Sequence, residues 1–299
     1  MIDPKLYSLI EVYETGSFSK AAKRLSITQP AVSQHIRALE EELGIKIFVR
    51  SDGKLHTTNM GKKAVVFGKK VIGMYHVLQQ EISDSAAMTE HLMIGITHTA
   101  ESNPIAQALA DYCAEHDGVN IKMITDTIRN LYKRLQTYEL DLIIAEGRPN
   151  SESLKYLMLD TDYLVLAVSP EHELAKRSLV TLNELKQERL ILRLPTSGTT
   201  NLFVSHLESN NMDIGEFNVI LEVDNVATIK DLVRRNFGVS ILPKSVCLEE
   251  IAKKKLVVLP VENLSMVRDI NIIYRGDFSQ TDLLYGIVES YNTTLKKYK

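Results

Sequence analysis

The sequence has few cysteines and no long apolar run. Its two cysteines, Cys113 and Cys247, lie far apart and show no metal-ligand spacing. This usage is typical of a reducing cytosol in which both thiols are ordinary core residues, with a redox role as the alternative. No apolar stretch approaches the roughly 20 residues that span a bilayer. The N-terminus lacks a basic segment followed by an apolar one, so neither a membrane helix nor a signal peptide is predicted.

Motifs of common enzyme classes are also missing. The chain contains no G-x-G-x-x-G, G-x-x-x-x-G-K-[ST], H-E-x-x-H or G-x-S-x-G, and its eight histidines show no paired metal spacing. We therefore expect no catalysis, no metal and no cofactor, with an enzyme as the rival class.

The chain has no strong charge of either sign. Hydrophobic residues make up 44% and charged residues 24% of 299 residues, which indicates a globular protein of two or three domains. Residues 1–90 carry 12 Lys and Arg against 10 Asp and Glu, a net charge of +2. The rest carries 23 against 28, a net charge of −5, and the two sum to −3. The asymmetry has the sign expected of DNA binding at the N-terminal end, but it is too small to decide.

Three short helical patterns follow one another at the N-terminus. Gly16 ends the first, and Ser17 is a candidate N-cap for the second. Thr28 can cap the third, with Pro30 in its first turn. The first two patterns place apolar residues at i, i+3, i+4 and i+7: Leu6, Leu9, Ile10 and Tyr13, then Phe18, Ala21, Ala22 and Leu25.

The third helix separates into an apolar and a polar face. Gln pairs bidentately with adenine and Arg with guanine, so the polar face could contact base edges, with Lys20, Lys23, Arg24 and His35 near phosphates. A solvated helix in a three-helix bundle is the alternative. The apolar face holds Val32, Ile36, Leu39 and Leu43, and the polar face holds Gln29, Ser33, Gln34 and Arg37.

About sixty residues closely resemble the DNA-binding domain of LysR-type regulators. The resemblance implies a winged helix-turn-helix at 1–60, with the third helix in the major groove and a wing over Lys46 to Thr57. Two positions depart from the family: Gly53 replaces a second basic residue of the wing, and Met60 replaces a small residue before Gly61. The resemblance rests on Gly16-Ser17-Phe18-Ser19-Lys20-Ala21-Ala22-Lys23-Arg24-Leu25, Thr28-Gln29-Pro30-Ala31-Val32-Ser33, Leu39-Glu40-Glu41-Glu42-Leu43-Gly44 and Ile47-Phe48-Val49-Arg50. The predicted DNA-binding residues are Ser17, Ser19, Lys20, Thr28, Gln29, Pro30, Ala31, Ser33, Gln34, Arg37, Arg50, Lys54 and Thr57.

A long helix is predicted over 58–90, with Gly68 and Gly73 as its weak points. Its apolar residues alternate in steps of four and three, a heptad pattern that favours pairing with a second copy of the helix. Packing on the protein's own core is the alternative. The heptad positions are Met60, Ala64, Phe67, Val71, Met74 and Leu78.

From Leu92 the pattern changes to alternating strands and helices. This predicts an α/β domain with mostly parallel sheets, two lobes, and a ligand in the crevice at the strand C-termini. Helices are expected at Pro104 to His116 and Ala227 to Phe237. The strand candidates are Leu92 to Thr97, Val119 to Thr125, Leu142 to Ala145, Tyr163 to Val168, Leu190 to Arg193, Asn218 to Val223, Val239 to Leu242, Leu256 to Leu259 and Ile270 to Tyr274.

Small polar residues follow several of these strands, most clearly in Arg193-Leu194-Pro195-Thr196-Ser197-Gly198-Thr199-Thr200. Hydroxyls and glycine at a helix N-terminus favour a small anion, with simple helix capping as the alternative. His98 is more often a capping or core residue than a ligand contact.

Ala227-Thr228-Ile229, Gly238-Val239-Ser240-Ile241-Leu242-Pro243 and Asp141-Leu142-Ile143-Ile144-Ala145 again resemble the LysR effector domain. The resemblance implies a periplasmic-binding-protein-like fold with one lobe at 91–162 plus 268–299 and the other at 163–267. The predicted effector-binding residues are Thr97, His98, Thr99, Thr125, Thr196, Ser197, Gly198, Thr199 and Thr228.

These observations predict a cytoplasmic, LysR-type transcription regulator controlled by a small, anionic effector. The expected partners are double-stranded DNA with an inverted repeat, the effector, a second copy in a dimer that assembles to a tetramer, and RNA polymerase, but no membrane. A solute-binding protein would need export and would have no use for the first sixty residues. A repressor whose C-terminal domain does not respond to a ligand is a further alternative.

Overall fold

The computed structural model describes residues 2–101, 104–264 and 266–297. The chain divides into two compact units, Met1–His91 with Lys133–Leu140, and Leu92–Tyr132 with Asp141–Lys299. Lys133–Leu140 therefore groups with the first unit, whereas its place in the sequence lies within the predicted first lobe; the domain limits stay predictions. Across the described ranges, none of the helices is both long and apolar enough to cross a membrane.

Three helices, a hairpin and a long helix make up the first ninety residues. They enclose a core that includes Leu9, Ala21 and Ala22, so these apolar spacings are confirmed. Tyr13, by contrast, is 40% exposed, and the Lys69 ammonium lies over its ring. The elements are α1 (Pro4–Thr15), α2 (Phe18–Leu25), α3 (Gln29–Leu43), β1 (Phe48–Ser51), β2 (Lys54–Thr57) and α4 (Asn59–Ala87).

The long helix α4 has two apolar faces. One face packs on its own unit, where the buried Gly68 lies close enough to α1 that a Cβ there would meet the side chains of Leu6, Leu9 and Ile10. The other face remains exposed and holds most of the heptad positions. Ala64 packs against the core and Val71 is half-buried. The exposed heptad residues, with their exposed fractions, are Met60 (50%), Phe67 (63%), Met74 (52%) and Leu78 (50%).

Beyond residue 90, strands and helices alternate as predicted. The strand over Val119–Thr125 matches its prediction residue for residue, and most of the others match within one to three residues. The elements are β3 (Glu90–Ile96), α5 (His98–Glu101), α6 (Ile105–Glu115), β4 (Val119–Thr125), α7 (Ile128–Gln136), β5 (Leu142–Glu146), β6 (Leu154–Val168), a 3-10 helix (Glu173–Lys176), α8 (Leu182–Lys186), β7 (Leu190–Leu192), α9 (Gly198–Ser209), a second 3-10 helix (Ile214–Glu216), β8 (Val219–Glu222), α10 (Val226–Arg234), β9 (Ser240–Pro243), α11 (Lys244–Ala252), β10 (Val257–Leu259), β11 (Val267–Arg275) and α12 (Thr281–Lys296).

The main sheet has the order β10-β6-β11-β5-β3-β4, and β9 also pairs with β6. The prediction of mostly parallel sheets holds for the two-stranded sheet of β7 and β8, but it is wrong for the main sheet. β3 and β5 are parallel, but β11 runs antiparallel to both β5 and β6, and β6 runs antiparallel to β9 and β10. The physical reason is that β6 takes the chain out of one half of the sheet and β11 brings it back. Because β6 and β11 are adjacent, they run in opposite directions.

The 15-residue strand β6 contributes to three hydrophobic cores, and its C-terminal part contributes to two of them. Its N-terminal part pairs with β11, and Leu159 is buried in a core with β3, β5, α6 and α12, which we call lobe 1. Leu164 and Leu166 in its C-terminal part pack in a second core with β7, β9 and α9, which we call lobe 2. The third core holds Ala167 with α10 and α11 of lobe 2. The sequence predicted only Tyr163 to Val168 of this strand.

Candidate functional site

Side-chain caps set the start of both helices of the helix-turn-helix. Ser17 Oγ accepts a hydrogen bond from the Lys20 amide at 3.4 Å, and Thr28 Oγ1 accepts one from the Ala31 amide at 3.3 Å. Between the helices Ser26 adopts the left-handed conformation with φ 56°, which ends α2 and lets the chain turn. Both predicted caps are therefore confirmed, and they fix where α3 begins.

Helix α3 presents a polar face to solvent. Val32, Ile36 and Leu39 are buried as predicted. Leu43 was predicted to be buried as well, but it is 50% exposed because α3 ends there and Gly44 turns the chain away. On the opposite face the exposed residues are Thr28, Gln29, Pro30, Gln34 and Arg37, while Ala31 and Ser33 are partly exposed.

Two contacts organise side chains on and beside this face. Gln29 Nε2 donates to Ser33 Oγ at 2.8 Å, which leaves the Gln29 amide with one N–H and its carbonyl for other partners. His35 does not join the polar face, because its Nδ1 lies 2.7 Å from the buried Ser8 Oγ and links α3 to α1. Three of the predicted DNA-binding residues lie in α2 or directly before it. Ser19 and Lys20 are exposed, and Ser17 is partly exposed.

The wing is a two-residue hairpin. Ser51 pairs with Lys54 across the turn, and the intervening Asp52 and Gly53 both have positive φ, 50° and 71°. This is the type I′ geometry, for which Asp-Gly is a preferred sequence. The absence of a basic residue at position 53 therefore has a conformational reason. Arg50 and Lys54 are exposed and Thr57 is half-buried, so the hairpin displays two cations.

Glu40 ties the end of α3 to the wing. Its Oε1 accepts hydrogen bonds from the amides of Ile47 (2.8 Å) and Phe48 (3.3 Å), and its Oε2 pairs with Lys46 Nζ at 2.7 Å. Desolvation acts to raise the pKa of this carboxyl, but the Lys46 ammonium and the two amides outweigh it, so the pKa lies below its usual value. The wing is thus anchored through one ionised side chain.

At the end of β3 a threonine is paired with a glutamate that ends β5. Thr97 is buried, and its Oγ1 donates to Glu146 Oε2 at 2.9 Å and accepts from the Ala100 amide at 3.3 Å. His98, which begins α5, is half-buried, and Thr125, at the end of β4, is partly exposed. The side chain of Thr99 lies outside the described part of the structure. These predicted effector residues all belong to lobe 1.

The start of α9 carries the remaining predicted cluster, in lobe 2. Ser197 caps the helix by accepting from the Thr200 amide at 3.2 Å, and Thr200 Oγ1 donates to the Arg193 carbonyl at 2.8 Å. Thr199 is only 2% exposed, and its Oγ1 has no hydrogen-bond partner within the described ranges. Thr196 and Gly198 are exposed, and so is Thr228 in the first turn of α10.

Two family models match the chain. The model described as "Bacterial regulatory helix-turn-helix protein, lysR family" matches residues 5–62, and that described as "LysR substrate binding domain" matches residues 85–291. The chain belongs to the LysR family. It is a DNA-binding transcription regulator with an effector-binding domain, and it is not an enzyme.

Similarity to other LysR family members extends over nearly the whole chain. The transcriptional activator CmpR of Synechocystis is 27% identical over 265 residues, covering 88% of this chain and 86% of that protein. The regulator CysL of Bacillus subtilis is 25% identical over 270 residues, covering 90% and 89%. A solved structure of full-length CbnR complexed with its target DNA shares the fold with a TM-score of 0.68 at 18% identity, covering 98% of this chain and 100% of that one.

The LysR family resemblance did not reveal a buried polar network of the effector domain. Arg268 on β11 bridges Glu146 Oε1 at 3.2 Å and Asp162 Oδ2 at 2.9 Å, and Asp162 also accepts from Ser245 Oγ at 2.7 Å. Through Glu146 this network reaches Thr97. It therefore connects a predicted effector residue of lobe 1 with α11 of lobe 2. Glu146, Asp162 and Arg268 all lie just outside the predicted strands, so the strand predictions did not indicate that they pair.

Proposed function

We propose that this LysR-type regulator reads base edges in the major groove through the exposed polar face of α3. The supporting observation is the division of α3 into a buried apolar face and an exposed face with Gln29, Gln34 and Arg37. Gln and Arg are the side chains that pair bidentately with adenine and guanine. Lys20, Arg50 and Lys54 then supply phosphate contacts on either side of α3.

The exposed stripe of α4 supports a homodimer. Met60, Phe67, Met74 and Leu78 leave much of their surface in water, and Ile82, 63% exposed, continues the stripe. The heptad spacing of the first four suits a second copy of α4. A dimer presents two recognition helices, which matches an inverted repeat with half-sites one or more helical turns apart. Assembly to a tetramer, contact with RNA polymerase and a cytoplasmic location belong to the same proposal.

We further propose a small anionic effector between the lobes of the second unit. The first turn of α9 supports it, because exposed amides and the helix dipole favour negative charge there. Arg193 is not a free counter-ion, since its guanidinium pairs with Asp224 at 2.7 Å. The effector would bind two arrangements of the lobes with different affinity and so shift their populations, which changes the spacing and bend imposed on DNA.

Selection of random double-stranded DNA by the purified full-length protein, at a stated salt concentration, tests the function. We expect an inverted repeat to be enriched, and the selected DNA then becomes the probe for effector screening. Enrichment of no sequence, with binding that only falls as salt rises, would reject specific recognition by α3.

A further inference from the structure

At the carboxyl edge of β3 and β5, the side chains of Thr97 and Glu146 can accept hydrogen bonds from a ligand. A threonine hydroxyl has one proton, and Thr97 directs it to Glu146 Oε2 at 2.9 Å. The Glu146 carboxylate accepts one bond at each oxygen, from Thr97 and from Arg268, whereas a carboxylate has about four acceptor positions. Its side chain is 20% exposed, so a ligand can reach it. Neither side chain has a proton left to donate.

The same edge has an excess of negative charge. Arg268 is the one cation within 4.0 Å of Glu146 or of Asp162 among the ranges that the structure describes, so two carboxylates share one guanidinium. The neighbouring Arg148 does not correct this, because it pairs with Asp269 at 3.0 Å. An anionic group placed against Glu146 would therefore be repelled, and a protonated amine would be attracted.

The start of α9 has the opposite preference. Its amides and dipole attract an anion. Thr199 in this first turn is buried with an unpartnered hydroxyl, within the described residues, which can donate to an oxygen. Thr97 directly follows β3 of lobe 1 and Thr199 lies in α9 of lobe 2, so a ligand that touches both edges meets acceptors on one side and donors on the other.

We propose that the effector is dipolar, an amino carboxylate whose amine binds Glu146 and whose carboxylate binds the N-terminal turn of α9. This inference rests on the proposed effector site and adds the chemical class of its ligand. Glu146 then acts as the specificity-determining residue for the amine, and Arg268 and Thr97 position it.

Matched ligand pairs test the proposal on the full-length protein. The probes are α-, β- and γ-amino carboxylic acids, each paired with the carboxylic acid that lacks only the amine, with affinity measured by titration calorimetry. We expect at least one amino acid to bind at least about tenfold more tightly than its partner, as the loss of a charged hydrogen bond implies. E146Q should remove that difference and leave the affinity of the plain acid within about twofold. E152Q is the control, because Glu152 is an exposed residue of the same lobe outside the network.

The outcomes separate this inference from the proposed function. Plain acids that bind as tightly as their amino partners, or an E146Q variant that keeps the preference, overturn the dipolar ligand and leave the anion site. If the protein binds no member of either series but still selects an inverted repeat, the dipolar ligand is also overturned, whereas the proposed DNA recognition stands. The melting temperature of E146Q and its affinity for the selected DNA show whether the variant is folded.

Discussion

Arg268 and Asp162 lie directly opposite each other on β11 and β6, with Nη2 of the arginine 2.9 Å from Oδ2 of the aspartate. Their side chains are 8% and 4% exposed. Removal of Arg268 leaves the buried Asp162 carboxylate without a cation, so we expect R268M to lower the free energy of unfolding by about 3–5 kcal/mol. D162N should cost less, because Arg268 keeps its second partner, Glu146. The double variant should lose less than the sum of the two. Urea unfolding monitored by circular dichroism measures all three.

The surface pair of Arg148 and Asp269 provides the control for that experiment. Arg148 is 62% exposed, so R148M should leave the urea midpoint unchanged. If R268M and D162N also left it unchanged, the buried bridge would contribute nothing to stability.

Arg37→Ala should weaken binding to the selected DNA site by about 1–3 kcal/mol and relax the base preference at one position of each half-site. The reason is that Arg37 is exposed on the polar face of α3, where it can pair with guanine. Fluorescence anisotropy on selected and random DNA separates specific from general binding. Arg129→Ala, an exposed arginine of α7, should change neither, and an equal loss by Arg37→Ala on both DNAs would contradict base reading.

Two glycines of α4 should respond in opposite ways to alanine. A Cβ at Gly61 would lie 2.3 Å from the Ile47 carbonyl oxygen, whereas one at Gly68 would meet the Leu6 and Leu9 side chains at 3.6 Å. We expect Gly61→Ala to destabilise the DNA-binding unit by about 1–3 kcal/mol through overpacking. Gly68→Ala should stabilise it by up to about 1 kcal/mol through helix propensity. Thermal unfolding of both variants measures the signs, and a stable Gly61→Ala protein would contradict the close approach.

Stability of the DNA-binding unit should depend on the ionisation of Glu40. Its pKa is lower in the folded chain than its usual value, so the ionised carboxylate stabilises the fold at pH values above the unfolded pKa of about 4.3. This contribution is lost as the pH falls through the folded pKa. We expect Glu40→Gln to have a lower melting temperature than the parent protein at pH 7. The difference between the two melting temperatures should narrow below about pH 4. Glu41→Gln, at an exposed neighbouring position, is the control. A difference in melting temperature that does not depend on pH would contradict a stabilising role for ionised Glu40.

Only one of the two thiols should react in the folded protein. Burial raises the pKa of Cys247 to about 12, so it is protonated at pH 8, whereas Cys113 is partly exposed. A chromogenic disulfide reagent should therefore titrate one thiol in native protein and two in denaturant. Cys113→Ser should abolish the native reaction, and rapid reaction of that variant would show that Cys247 is accessible.

The sequence predicts local features of this fold better than distant pairings. Ser17 and Thr28 mark the helix starts because a cap bonds to an amide three residues away. Asp162 and Arg268 meet only because β6 and β11 are neighbours in the sheet, 106 residues apart in the chain. No periodicity encodes such a pairing, so the sequence analysis predicted neither the bridge nor the antiparallel pairs of the main sheet.

The same difference between local features and distant pairings applies to the candidate sites. The polar face of α3 could be predicted because its residues all lie on one helix, with period 3.6. The effector site could be predicted only as separate strand and helix ends, Thr97 in one lobe and Ser197 in the other. The partner of Thr97 could not be predicted, because Glu146 reaches it only through the parallel pairing of β3 with β5.

The position of β11 in the sheet also determines when the protein can finish folding during its synthesis. β11 lies between β6 and β5, yet it begins only at Val267 of a 299-residue chain. Until the ribosome has released that strand, the central ladder of lobe 1 has a gap flanked by two open strand edges. The helix-turn-helix core, complete once Val65 has emerged, can form early. A nascent chain stalled before residue 267 would therefore carry a folded DNA-binding domain attached to an effector domain whose central sheet is still incomplete.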